Sequence, residues 1–377
     1  MLLAGLTAGI VCKRAGISVL VGYIVVGAML GFNGRGLIAD EGSQLYYLAQ
    51  AGALLLLFSI GLEFSLGQLA KLGRYFFIAG SLQMALVVGP AIGIAIAWNV
   101  PWKEAVLIGA ATALSSTVLV YKALEEYGQT ETPHGRGAIA MLLFQDAALV
   151  PLMLVVPLLT GQGQAATPAV WIALAAKSLL LISAVGLLRL AIDRFMVPLL
   201  ANLRSTELIV LFALIVLGGG GIAAYFLGLP PALGAFAAGL VLSDNRLTGQ
   251  IDALVLPYRE TFSAVFFVSI GSLMRLDILI QRPLLCLGGL VAAMLLKAAA
   301  AGIALRAVGL SWRAAAGMAL GLTQLGEFSF LLLSAGAGAG LIDASWFHLV
   351  LFIALATLIL TPLLIKVGLS CRAIARI

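Results

Sequence analysis

Leu57-Phe58-Ser59-Ile60-Gly61-Leu62 returns as Phe267-Val268-Ser269-Ile270-Gly271-Ser272, 210 residues further along the chain. Pro101-Trp102-Lys103 returns as Ser311-Trp312-Arg313 at the same spacing. Gly22 and Gly27 pair with Gly234 and Gly239 at 212, and Pro151 with Pro362 at 211. One such match is weak, but a near-constant offset through four places marks an internal duplication. Apolar runs bounded by charges or by Gly and Pro give thirteen candidate spans, near 1–12, 16–32, 45–64, 74–98, 104–122, 136–159, 168–188, 206–227, 231–243, 257–274, 283–305, 312–337 and 345–368. The duplication divides them into a six-helix repeat over 1–159, a connector helix and cytoplasmic loop over 160–204, a second six-helix repeat over 205–369, and a cytoplasmic tail over 370–377. A single connector makes the second repeat enter the membrane with opposite orientation. Inverted repeats are the architecture of secondary transporters, whose sites lie near the midplane where broken helices of the two halves meet.

The composition demands a membrane. Of 377 residues, 62% are hydrophobic and 10% charged, whereas a water-facing surface needs roughly 25% charged residues. The expected class is an all-α polytopic membrane protein, since barrel-type alternation is absent. The net charge of +6 comes from Lys and Arg spread over loops without a basic stripe, so nucleic acid is not an expected partner. With the N-terminus outside, 16 of the 22 Lys and Arg fall on the inner side and four (Arg35, Lys103, Arg275, Arg282) on the outer. That bias supports thirteen spans and a cytoplasmic C-terminus. Cys12, Cys286 and Cys371 read as small buried hydrophobes, and no His/Cys/Glu cluster suggests a transition metal or an enzyme.

A charge at the bilayer centre costs at least about 2.5 kcal/mol, so the few present mark function. Asp146 lies mid-span in Leu142-Leu143-Phe144-Gln145-Asp146-Ala147-Ala148, and Lys297 mid-span in Leu295-Leu296-Lys297-Ala298. Glu63 closes the third span, Lys177 lies in the seventh and reads as a snorkelling side chain, and Glu327 interrupts the twelfth together with Gln324. The repeat counterpart of Glu327 is Thr117, in Ser115-Ser116-Thr117, so both repeats turn polar at one depth. Unwound backbone in a membrane is tolerated where it lines a cavity or is buried in protein. These features predict a midplane site at the crossing of spans five and twelve, with Asp146 and Lys297 facing it. Ser115, Ser116, Thr117, Gln145 and Asp146 would supply oxygens for a hard monovalent cation or a proton. Lys297 is either a salt-bridge partner released when a cation enters or a fixed structural counter-charge. His134 and His348 read as solvated or packed. A single carboxylate shared by proton and cation implies one-for-one, electroneutral exchange.

Ala113-Leu114-Ser115-Ser116-Thr117, Leu124-Glu125-Glu126, Thr132-Pro133-His134-Gly135-Arg136, Leu142-Leu143-Phe144-Gln145-Asp146, Phe266-Phe267-Val268-Ser269-Ile270-Gly271 and Gln324-Leu325-Gly326-Glu327-Phe328 together resemble the monovalent cation:proton antiporter-2 family. Within it they most resemble the Kef-type potassium/proton antiporters. The resemblance covers essentially the whole chain. It implies an NhaA-like antiporter fold of thirteen helices, a homodimer with dimerisation and mobile core domains, and an elevator-like movement in a bacterial inner membrane. It assigns Asp146 to the ion-binding carboxylate and Lys297 to its basic partner. Electrogenic relatives carry two adjacent aspartates where this chain has Gln145-Asp146, which resembles the potassium-preferring, electroneutral pattern. Kef-type proteins usually continue into a cytoplasmic nucleotide-binding regulatory domain, often gated by glutathione adducts, and this chain ends at Ile377, so that gating is not carried over; such a domain or a separate regulatory subunit stays open as a partner at the inner face. No cofactor is expected beyond the transported potassium or sodium and the proton. Two further readings stay open: a channel-like cation pathway without proton coupling, and an anion symporter using Lys297.

Overall fold

In the computed structural model the described residues are 2–15, 19–32, 44–63, 73–160, 183, 186–203, 205–227, 229, 231–272 and 277–370. Every regular element among them is helical. The helices are α1 (Leu2–Arg14), α2 (Val19–Phe32), α3 (Gln44–Glu63), α4 (Tyr75–Ala97, opening on a π-helical turn Tyr75–Gly80), α5 (Trp102–Ala113), α6 (Thr117–Glu126), α7 (Pro133–Thr160), α8 (Val197–Leu203), α9 (Thr206–Phe226), α10 (Pro231–Leu242), α11 (Thr248–Ser272), α12 (Asp277–Gln281), α13 (Pro283–Ala307), α14 (Trp312–Leu320), α15 (Glu327–Gly338) and α16 (Ala344–Ser370). Five of them, α4, α7, α9, α13 and α16, are long and apolar enough to cross a bilayer.

The chain forms two compact units interleaved in sequence. One comprises Met1–Ala39, Gly67–Leu152 and Ile270–Ile377, the other Asp40–Leu66 and Met153–Ser269. The core of the first packs Val120, Leu124, Met141 and Leu142 against Leu305, Ala315 and Met318. That of the second packs Leu55, Phe58 and Leu62 against Ile209, Leu242, Ile251 and Val255.

Helices in lipid lack a hydrophobic drive toward one another and associate through close backbone approach at small residues. A Cβ on Gly61 of α3 would sit 2.3 Å from the Phe236 carbonyl oxygen of α10, and one on Gly271 of α11 would sit 2.1 Å from the Ile24 carbonyl oxygen of α2. Gly61 and Gly271 stand 210 residues apart, Ile24 and Phe236 stand 212 apart, so the two contacts are counterparts. A second pair behaves alike: Gly22 of α2 lies against Ala8 of α1, and Gly234 of α10 against Gly220 of α9, again offset by 212.

Helix α13 shows how the membrane sorts side chains. Leu284, Leu287, Val291 and Leu295 form an exposed stripe at three- and four-residue spacing, while Lys297, Ala300, Ala301 and Ala304 are buried on another face. The two spans with polar interruptions in the sequence are each broken in the middle, into α5 and α6 and into α14 and α15. Span 257–274 begins earlier than its sequence reading, because Pro257 lies inside α11 instead of opening it; the polar turns before it, with Gln250 and Asp252, are helix-compatible. The connector span but for its last residues, Lys177, the side chain of Glu63, Cys371, the tail from 371, and the topology-setting Arg35, Lys71, Arg204, Arg275, Arg372 and Arg376 lie outside the described residues.

Candidate functional site

Within the first unit two unwound stretches meet. α5 stops at Ala113, the chain runs extended through Leu114 and Ser116, and α6 starts at Thr117. α14 stops at Leu320 and α15 starts at Glu327 after an extended Gly326. Trp102 and Trp312 open the first halves and Thr117 and Glu327 the second halves, each pair 210 residues apart. The stretches are joined by a backbone hydrogen bond from Gly326 N–H to the Leu114 carbonyl, 3.1 Å. Ser115 Oγ donates across to the Leu322 carbonyl, 3.4 Å. Only glycine fits at the contact: a Cβ on residue 326 would lie 2.4 Å from the Ser115 carbonyl carbon.

A broken helix leaves its last carbonyls without intrahelical partners, and here other elements supply them. Ser329 Oγ donates to the Ala111 carbonyl, 2.6 Å. Lys297 Nζ donates to the carbonyls of Thr112, 2.7 Å, and Leu114, 3.0 Å. Gln83 Nε2 donates to the Ala113 carbonyl, 3.4 Å. Lys297 is 0% exposed, and its ammonium sits at the negative end of the α5 dipole. These contacts are to backbone carbonyls of the broken helix. A neutral amide at position 297 would hold fewer of these carbonyls, so Lys297→Gln is expected to lower stability by about 1–3 kcal/mol while retaining transport. Thermal unfolding in detergent beside a flux assay checks this; full stability with abolished flux would give the lysine a transport role.

At the start of α6 the polarity reverses. Ser116 Oγ accepts from Leu119 N–H, 3.3 Å, as the N-cap. Ser115 N–H donates to Gln145 Oε1, 2.7 Å, and Thr117 Oγ1 donates to Asp146 Oδ2, 2.8 Å. Asp146, 5% exposed, is thus held at the positive end of a half-helix, where a carboxylate is stabilised. A similar catch without the acid lies 210 residues further along: Leu325 N–H, at that spacing from Ser115, donates to Thr357 Oγ1, 3.1 Å. Glu327 is buried at the start of α15 with Ser116 as a hydrogen-bonding neighbour. Glu327 Oε2 and both amide atoms of buried Gln324 have no hydrogen-bond partner among the described residues. A cavity of about 70 Å³ lined by Ile94, Trp98, Thr112, Leu325, Trp346 and Ile353 abuts the crossing; Thr112 is its one polar lining side chain among the described residues. His134 is buried and bonded through Nε2 to Gln129 Oε1, 2.7 Å.

The structure therefore brings Ser115, Ser116, Thr117, Gln145, Asp146, Lys297 and Glu327 together around one crossing. Sequence reading missed Gln83, Ser329 and Thr357. Gln83 carried a signal, being the single polar side chain in the run from Leu82 to Ala97.

Crossed half-helices with a buried acid at one end and a buried ammonium at the other are an arrangement of the kind found in secondary transporters. The sodium/hydrogen exchanger transmembrane model matches residues 1–369, and the chain belongs to that family. It is 31% identical over 358 residues to the glutathione-regulated potassium-efflux system protein KefC of Cronobacter sakazakii, covering 94% of this chain and 57% of the relative. To KefC of Salmonella typhi it is 31% identical over 337 residues, 89% and 54% of the two chains. The chain spans little more than half the length of these relatives, which are transport proteins and not enzymes. The sodium proton antiporter MjNhaP1 of Methanocaldococcus jannaschii has the same fold, with a TM-score of 0.70 at 15% identity over 100% of this chain and 96% of that one.

Proposed function

We propose that this protein exchanges a monovalent cation, potassium in preference to sodium, for a proton, with Asp146 as the site the two share. The observation that carries the reading is the Asp146 carboxylate, buried, held by Thr117 and set at the α6 N-terminus beside the crossing. Hard alkali cations favour oxygen ligands, and the Ser/Ser/Thr break with Asp146 is an oxygen-rich stretch in an apolar chain. Competition for one carboxylate makes exchange one for one and electroneutral. Gln145 supplies no second acid, and the potassium-efflux relatives agree with the cation.

The architecture proposed with it is two inverted six-helix repeats around a connector, thirteen spans in all. The reciprocal glycine contacts and the matched breaks at offsets of 210 and 212 support this. A homodimer in the bacterial inner membrane, its N-terminus outside and its C-terminus cytoplasmic, goes with the relatives and the charge bias. So does a nucleotide-binding regulatory domain or subunit at the inner face. Lys297, spent on helix carbonyls, is poorly placed to serve an anion, which counts against the symporter reading.

Reconstitution into proteoliposomes with a pH-sensitive dye tests the proposal. Potassium pulses are expected to move protons more strongly than sodium or lithium, at a rate insensitive to imposed membrane potential. Proton movement with none of the three ions would overturn antiport, and a steep voltage dependence would overturn one-for-one exchange.

A further inference from the structure

Gln145 is the residue beside the proposed carboxylate, yet its amide is engaged with protein atoms. It accepts from Ser115 N–H at 2.7 Å and donates through Nε2 to Gln83 Oε1 at 2.9 Å. Gln83 in turn donates through Nε2 to the Ala113 carbonyl at 3.4 Å, the longest of the three. Both side chains are buried, Gln145 at 0% and Gln83 at 1% exposure. The direction of this relay follows from its ends. A backbone N–H can only donate and a carbonyl only accept. Ser115 therefore fixes Oε1 of Gln145 toward itself and Nε2 toward Gln83. Gln83 must then present Oε1, leaving its own Nε2 for Ala113.

The relay clamps the backbone on both sides of Leu114, the residue whose carbonyl receives Lys297 and Gly326. Because Gln145 and Asp146 are adjacent on α7, fixing one against Ser115 fixes the other against Thr117. We infer that Gln83 is a positioning residue for the exchange site, setting cation affinity through Gln145 and keeping position 145, next to Asp146, uncharged. An ionised aspartate at position 145 would have no donor for Gln83 Oε1, and turning the Gln83 amide over would strip the Ala113 carbonyl of its partner. This inference rests on the antiport reading for its affinity effect, but the relay itself does not.

Two variants and two measurements test it. Gln83→Met keeps the volume and deletes both hydrogen bonds. Gln83→Glu retains both only while protonated, with one oxygen accepting from Gln145 and the carboxyl O–H donating to Ala113. In proteoliposomes, Gln83→Met should raise the half-saturating potassium concentration about tenfold with a smaller change in maximal rate. Gln83→Glu should match the wild type at acid pH and move toward the methionine variant as pH rises. Asp146, Lys297 and Glu327 are common to all three proteins, and the methionine variant, uncharged at every pH, separates loss of the hydrogen bonds from the effect of a charge at position 83 on those groups. Amide hydrogen exchange over residues 113–117, read by mass spectrometry, should speed up in Gln83→Met and, at high pH, in Gln83→Glu. Wild-type affinity and wild-type amide protection in Gln83→Met would overturn the inference. If that variant does not fold, a Gln83→Glu protein that follows the wild-type pH profile throughout would overturn it instead. Absence of exchange by the wild type would refute antiport, and amide protection would still decide the relay.

Discussion

Vesicles carrying Asp146→Asn are expected to show no potassium-driven proton movement although the protein folds. Asparagine has nearly the volume of aspartate, and its carbonyl oxygen still accepts from the Thr117 hydroxyl, so the 2.8 Å contact between α6 and α7 survives. What is lost is the charge and the proton acceptor. A carboxylate about 4 Å from a monovalent cation contributes about 4 kcal/mol at an effective dielectric constant near 20, roughly a thousandfold in affinity. The α6 dipole, which stabilises the carboxylate, then faces the cation with its positive end and nothing to offset it. Exchange at the wild-type rate by folded Asp146→Asn would remove Asp146 from the site.

Replacement of Gly326 should act on the fold itself. The nearest atoms to a Cβ there are the carbonyl carbon, carbonyl oxygen and next nitrogen of Ser115 and Ser116, at 2.4 to 2.6 Å. These are backbone atoms within the crossing and cannot rotate aside as a side chain would. Gly326→Ala must separate the two stretches and with them the Gly326 N–H bond to Leu114. Overpacking costs about 1–3 kcal/mol, and the broken hydrogen bond adds about 1 kcal/mol. The variant should therefore melt well below the wild type in detergent and fail to transport. Gly93→Ala is the control: nothing lies within 4 Å of its Cβ position, and alanine in a helix is favoured over glycine by about 1 kcal/mol. Equal melting of both variants would mean the crossing tolerates expansion.

What the sequence disclosed follows the cost of burying each group. Asp146 and Lys297 stood out because an intramembrane charge is expensive, and the polar Ser115-Ser116-Thr117 and Gln324–Glu327 stretches marked helix breaks that the structure contains. The glycines that close backbone contacts require, Gly22, Gly61, Gly234 and Gly271, were legible through their matched spacing. Ser329 and Thr357 were not, because a hydroxyl can bond back to a carbonyl of its own helix and so resembles background; Gln83 stood alone among apolar residues but has no charge to single it out. The partners of Lys297 were hidden for another reason: they are backbone carbonyls, which every residue has. The early start of α11 was obscured by Pro257, which the helix absorbs.

A shared carboxylate predicts that cation binding expels a proton, and this can be read without a membrane. Purified protein in weakly buffered detergent solution, titrated with potassium chloride against a choline chloride control over a range of pH, should release close to one proton per chain at its maximum. Asp146→Asn should release none. Equal release from the two proteins, or none from the wild type at any pH, would contradict Asp146 as the common site.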